Sequence, residues 1–268
     1  YGLVSRRGVF PLSFTLDHVG PMARSVGDIA MMLDAIAGHD AGDPGSSPAP
    51  THLFGSELKR GLRGLRVGFV RRFHEDDLPA DAEMVAAIED AARTLESEGA
   101  KVRDVSLPPL AEYSGVQRVI MLSESWAIHS RWLREKPGDY GASARRRLMA
   151  GAFLTAGDYV HAQQRRSDLT AAVDDAFRDA DVLLVANAMD PSCAIDDDEA
   201  IARTYPRQAR NVFSLTGHPA IALMSGLSKA GLPLSIQLVA RTLDEVTLLR
   251  AAAGYERATG WHARRPQI

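Results

Sequence analysis

One cysteine, Cys193, is all that 268 residues provide. That excludes an internal disulfide framework and any cysteine-rich metal site. Aromatic side chains are scarce too, at 6% of the chain. No apolar run approaches the roughly 20 residues that span a bilayer, so no transmembrane helix is expected. An excess of one charge is also missing: 31 Lys and Arg oppose 34 Asp and Glu, a formal charge of −3. So even a balance gives no electrostatic footprint for nucleic acid or anionic lipid, and neither is an expected partner. No basic-then-apolar leader opens the sequence, which makes a cytoplasmic location the default expectation. What remains is an ordinary globular makeup, 46% hydrophobic and 24% charged. That is too apolar for disorder and long enough to bury a sizeable core.

Standard catalytic signatures are lacking as well. There is no Gly-x-Ser-x-Gly elbow, no Gly-x-Gly-x-x-Gly, no phosphate loop and no His-Glu-x-x-His. The histidines (18, 39, 52, 74, 129, 161, 218 and 262) are scattered with no i,i+4 pair, so neither a metal nor a cofactor is expected. Cys193 follows Pro191-Ser192 with no adjacent cation or helix start, and reads as inert. The acidic run Asp196-Asp197-Asp198-Glu199 lacks the spaced ligands and glycine of a calcium loop and reads as a solvated loop. Arg145-Arg146-Arg147 cannot form one anion patch, because helical spacing sends three consecutive residues to different faces.

Periodicity organises the chain as alternating α and β. Residues 17–23 read as a short strand. Ser25-Val26-Gly27-Asp28 then fits a capping box opening a helix to Gly38. Residues 39–64, rich in Gly, Pro, Ser and Asp, read as a surface loop. Residues 65–70, 80–98 and 101–105 form a strand, an amphipathic helix with Val85, Ile88, Ala92 and Leu95 buried, and a second strand. That βαβ order implies a parallel pair. Helices are expected over 112–134, 143–154 and 157–179. A doubly buried strand follows at 181–185, a loop at 188–200, and strands at 219–224 and 233–240 joined by a turn at 228–231. Thr242-Leu243-Asp244-Glu245 reads as another capping box, for a helix ending at Gly260. The expectation is α/β: a single mixed β-sheet flanked by helices, with residues 1–268 as one unit.

Tyr1-Gly2-Leu3-Val4-Ser5-Arg6-Arg7-Gly8 begins without Met and reads like the interior of a longer polypeptide. Together with Leu16-Asp17-His18-Val19-Gly20-Pro21-Met22-Ala23, it resembles the segment after the catalytic region in the amidase signature family. That family includes bacterial amidases, fatty-acid amide hydrolase and the A subunit of the glutamyl-tRNA amidotransferase. The likeness continues through Gly38-His39-Asp40, Arg147-Leu148-Met149-Ala150-Gly151 and Asp181-Val182-Leu183-Leu184. It is again marked at Phe213-Ser214-Leu215-Thr216-Gly217-His218-Pro219, at Gly231-Leu232-Pro233-Leu234-Ser235-Ile236-Gln237-Leu238-Val239, and at Trp261-His262-Ala263-Arg264-Arg265-Pro266.

The resemblance implies an amidase signature fold with its N-terminal part missing, the chain being the C-terminal portion of an amidase domain. The implied activity is hydrolysis of a carboxamide, a small-molecule substrate, to an acid and ammonia or an amine. The family uses a Ser, a second Ser on a cis peptide and a Lys, all upstream of Tyr1, so no catalytic residue is expected here and this chain alone is expected to be inactive. Candidate substrate-binding residues are Arg147, aligned with a basic position where amidotransferases hold the amino-acid end of their substrate, and Asp17. Read from the residues themselves, Asp17 instead satisfies backbone amides in a turn, Arg147 lies on a solvated helix face, and His218 packs under the sheet. Arg207 or a near neighbour stands where the amidotransferases carry an acidic partner, and Ser214 replaces an Asn. Both departures argue against glutamine as substrate. The alternatives are a protein like the A subunit of the glutamyl-tRNA amidotransferase, or a non-catalytic remnant acting as a binding module; a homo-oligomer is compatible with each.

Overall fold

The computed structural model describes residues 1–49 and 53–265. His52, part of the 39–64 loop, and Pro266 of the C-terminal motif therefore lie outside the described residues. Five strands form one sheet in the order β2-β1-β3-β5-β4. Its centre is built from the most apolar runs. β1 (Arg66–Val70) and β3 (Val182–Ala186) pair in parallel and are buried nearly throughout, as β-branched and leucine side chains covered on both faces should be. β2 (Lys101–Asp104) pairs in parallel with β1, reached through α2 (Ala82–Ser97). β4 (Ala220–Leu227) and β5 (Pro233–Ala240) form an antiparallel hairpin, with β5 antiparallel to β3.

Gly68 shows how tightly side chains of the two flanking strands crowd β1: a Cβ there would sit 2.8 Å from Leu183 Cδ2 and 3.0 Å from Val105 Cγ1. α8 (Glu245–Thr259) and α2 pack on the sheet, and α1 (Val26–Ile36) packs on α8. The long α3 (Leu110–Glu135) lies along α5 (Ala156–Ala176) and the short α7 (Asn211–Thr216). α4 (Ala142–Met149) and α6 (Asp198–Thr204) complete the helices. Phe69, Phe73, Tyr113, Leu169, Phe177, Leu183, Leu238 and Tyr255 belong to one connected core. Among the described residues no helix is long and apolar enough to cross a membrane.

Several local expectations change. Residues 17–23 are not a strand: Pro21 has no N–H to give a ladder, and among the described residues they pair with no strand. Ser25 does cap α1, its Oγ accepting from Asp28 N at 3.1 Å, but the first-turn amide of Val26 donates to Glu256 Oε2 of α8. α8 is capped by Asp244, which accepts from Thr247 N, not by Thr242. Leu243 between them takes φ +64°, which breaks the expected box. The acidic run is not simply a loop: Asp197 caps α6 and Asp198 and Glu199 occupy its first turn, where carboxylates face the positive end of the helix dipole. On α2 the expected Ile88, Ala92 and Leu95 are buried, with Met84, Ala87 and Ala91 beside them, while Val85 is half-buried.

Candidate functional site

Asn187 continues the line of β3 past its last paired residue and meets β5, where its Nδ2 donates to Ser235 Oγ at 2.9 Å. Gln237, two positions along β5, pairs with Val185 on one side and Ala222 on the other. A spacing of two puts Ser235 and Gln237 on one face of the sheet. Asn187 Oδ1 and Gln237 Nε2 are both buried, and among the described residues neither has a hydrogen-bond partner. They line a groove of about 470 Å³ walled by the N-terminal strip from Tyr1 to Val4, by residues 18–23, and by the turn carrying Ser214, His218 and Pro219. A buried polar atom left unmatched costs about 1–3 kcal/mol. The floor of this groove therefore carries one unmatched acceptor and one unmatched donor.

The N-terminal wall is held by charge. The Glu124 carboxylate, buried on α3, accepts from Ser13 Oγ (2.5 Å), Thr15 N (3.0 Å), Thr15 Oγ1 (2.8 Å) and Tyr159 Oη (2.8 Å). Beside it Arg166 of α5 donates to Thr15 Oγ1, Thr15 O and the Leu215 carbonyl at the end of α7. Burial lowers the Arg166 pKa from its ordinary value and, together with the bond to Glu124, raises that of Tyr159. Nearer the start, Arg6 grips both oxygens of Asp43 (2.8 and 3.1 Å) and donates to the Phe14 carbonyl. Residues 6–17 are thus pinned to three separate parts of the fold.

Asp17 lies in the pinned segment just before the groove wall and does not line the groove: its Oδ2 accepts from Leu12 N (2.8 Å) and Ser13 N (3.0 Å). Arg147 is exposed on α4, whose one buried residue is Leu148. No hydrogen bond or ion pair joins the two among the described residues. Arg207 is occupied elsewhere, donating to Asp190 Oδ2 (2.7 Å) and the Pro79 carbonyl (2.6 Å). His218 is buried and stacked on Phe177, with Nδ1 at Thr216 Oγ1 (2.9 Å) and Nε2 at Asp174 Oδ1 (3.1 Å). Burial lowers its pKa in spite of Asp174. Ser214 lies on the groove wall. Glu124, Arg166 and Asn187 belong to none of the sequence motifs above, and Gln237 enters only as part of the 231–239 likeness. The signal present was the Ser-Ile-Gln-Leu-Val alternation, which places a polar side chain inside an otherwise buried strand.

A mixed sheet under helices, with a groove walled by the N-terminal strip and floored by orphaned amides, defines the chain as an α/β protein. The family is established by comparison: the Amidase family model matches residues 1–249, and the chain belongs to that family. It is 36% identical to an amidase of Pseudomonas putida over 276 residues, covering 100% of this chain and 58% of that protein. It is 33% identical to the A subunit of the glutamyl-tRNA(Gln) amidotransferase of Chloroflexus aggregans (strain MD-66 / DSM 9485), covering 100% of this chain and 59% of that one. Among solved structures it superposes, with a TM-score of 0.85 and 29% identity, on an inhibitor-bound vestigial protein complex described as revealing the evolutionary origins of an s-triazine catabolic enzyme. That match covers 97% of this chain and 57% of the other. The chain spans under three-fifths of the length of these relatives.

Proposed function

We propose that the chain is the C-terminal portion of an amidase domain that hydrolyses a carboxamide through a serine located upstream of Tyr1. The observation that carries this reading is the alignment of the whole chain with an amidase at 36% identity. In the proposed reaction the upstream Ser hydroxyl, deprotonated by a Lys whose pKa burial lowers, attacks the amide carbon. Backbone amides hold the oxyanion, ammonia or amine leaves with a proton, and water then releases the acid and regenerates the serine. In this reading the groove contributes binding, with Asp17 and Arg147 as substrate-side candidates, and the protein works in the cytoplasm.

The orphaned Asn187 and Gln237 support the binding role, because a primary amide offers the donor and acceptor that they lack. The amidotransferase reading draws on the likeness to the Chloroflexus aggregans protein, but the pairing of Arg207 with Asp190 leaves no acidic group at that point for a substrate amine. The test is ammonia release from a panel of aliphatic and aromatic amides. Residues 1–268 alone are expected to show none. A longer chain carrying an upstream Gly/Ser-rich segment and Lys is expected to turn over, and to stop when its signature serine becomes alanine. Turnover by residues 1–268 alone refutes the upstream nucleophile. A longer chain without amide turnover refutes the amidase reading.

A further inference from the structure

After β1 the chain passes through a π-helical segment, Phe73–Asp77, that turns His74 inward beside the exposed Glu75. His74 is 1% exposed and stacks on Phe69, with centroids 5.7 Å apart and planes at 18°. The Val70 backbone faces the ring, but among the described residues neither ring nitrogen makes a hydrogen bond of good length and angle. Buried polar side chains are nearly always partnered, so this ring calls for an explanation. Two carboxylates supply one: donor atoms of His74, Glu75 and Glu89 (on α2) all lie within 4.8 Å of one another. Three atoms that close share a centre no farther than 4.8/√3, about 2.8 Å, from any of them. Modest rotation of the two glutamates brings that to the ~2.0–2.2 Å of nitrogen and oxygen ligands.

Charge points the same way. Arg71 serves three carboxylates, donating to Glu75 Oε1 at 3.4 Å, to Glu89 Oε1, and to Asp104 Oδ1 at 2.8 Å. One cation among three anions leaves the cluster negative, and Arg71 engages one oxygen of each. Its guanidinium also lies 4.1 Å from the centre of the Phe69 ring, which fixes it on the same aromatic that holds His74.

We propose that His74, Glu75 and Glu89 bind a divalent transition-metal ion. The imidazole supplies a nitrogen and each glutamate an oxygen, a mixed donor set that suits zinc or cobalt better than calcium or magnesium. The ion clasps the segment after β1 to α2. None of the three ligands lines the groove, so the site stands apart from the amidase reading. The sequence pattern hides it because two ligands are adjacent on one turn and the third comes from another element.

The test titrates the untagged 268-residue chain with zinc chloride by calorimetry and with cobalt(II) chloride by visible absorption. The expected result is one saturable site, visible bands of nitrogen- and oxygen-ligated cobalt, and a melting temperature that rises with zinc. Glu75→Gln and Glu89→Gln should each weaken binding ten-fold or more, while His262→Gln leaves it unchanged. Glu75 is exposed, so its variant keeps the fold even where His74→Gln does not. Absence of a saturable site, or wild-type affinity in both glutamate variants, overturns the proposal.

Discussion

Removing the Glu124 carboxylate tests how the N-terminal wall of the groove is held. Four donors converge on it, but they do not lose equally in Glu124→Ala. Thr15 Oγ1 keeps the bond from Arg166 Nη1 (2.9 Å), and Tyr159 Oη keeps that from Gln163 Nε2 (2.9 Å). Ser13 Oγ and Thr15 N lose their partner outright, and Ser13 is buried. At about 2 kcal/mol for each orphaned donor, the loss is about 4 kcal/mol. That is a large part of the roughly 5–15 kcal/mol that holds a domain. At about 2 °C per kcal/mol for a chain of this size, the midpoint falls by about 8 °C.

Glu124→Gln separates shape from charge. Its carbonyl can still accept from Ser13 and Thr15 N, while its amino group faces two hydroxyls that can turn to accept. Only the charge assistance on the retained bonds is lost, about 2 kcal/mol. Urea unfolding with an unchanged slope measures both variants, and hydrogen exchange over residues 10–23 should quicken in Glu124→Ala first. An alanine variant within about 1 kcal/mol of the parent, or a glutamine variant as damaged as the alanine one, refutes the reasoning.

Arg6 and the amides of Arg6 and Gly45 hold the Asp43 carboxyl well below the usual carboxylate range. The stability it adds is complete above the unfolded value of about 3.9 and fades as pH falls below it. Asp43→Asn should therefore flatten the acid limb of the urea midpoint, and an unchanged limb counts against the pairing. His218 is held below its ordinary pKa by burial, so its share of stability is present above about 6.5 and lost as pH falls. His218→Gln should lessen the decline between about pH 7 and 5, and a decline that persists in full contradicts it. Met22 (91% exposed), Phe153 (85%) and Phe10 (65%) leave apolar surface open, which monomers rarely do over a large patch. Sedimentation should show concentration-dependent association that Phe10→Ser with Met22→Ser reduces; an ideal monomer at all concentrations refutes this.

The sheet was readable because its central strands carry their burial in their composition. Val182, Leu183, Leu184 and Val185 are apolar without interruption, and the structure exposes none of them. α2 was readable from its repeat and from Gly99, which takes φ +93° just past its end. Residues 17–23 misled for the complementary reason. Their pattern fits a strand, but a strand exists only against a partner, and none pairs with them among the described residues. The Glu124 cluster lay beyond any local reading. Ser123-Glu124-Ser125 reads as an ordinary polar stretch of a helix. It becomes interior only when Ser13 and Thr15, more than a hundred residues away, fold over it.

The groove is less legible than the sheet because its parts have no meaning separately. Asn187 and Gln237 are ordinary amides until register sets one against Ser235 and the other beside it. The groups that could do more than bind are constrained. His218 has both nitrogens engaged, by Thr216 and Asp174, so it cannot take a proton from Ser214 without giving up one of those bonds. His18 keeps its Nδ1 on the Leu16 carbonyl. A hydroxyl without a base within reach remains a weak nucleophile. Among the described residues the groove offers no activated hydroxyl, and that is the physical reason the proposed reading seeks its attacking serine upstream of Tyr1.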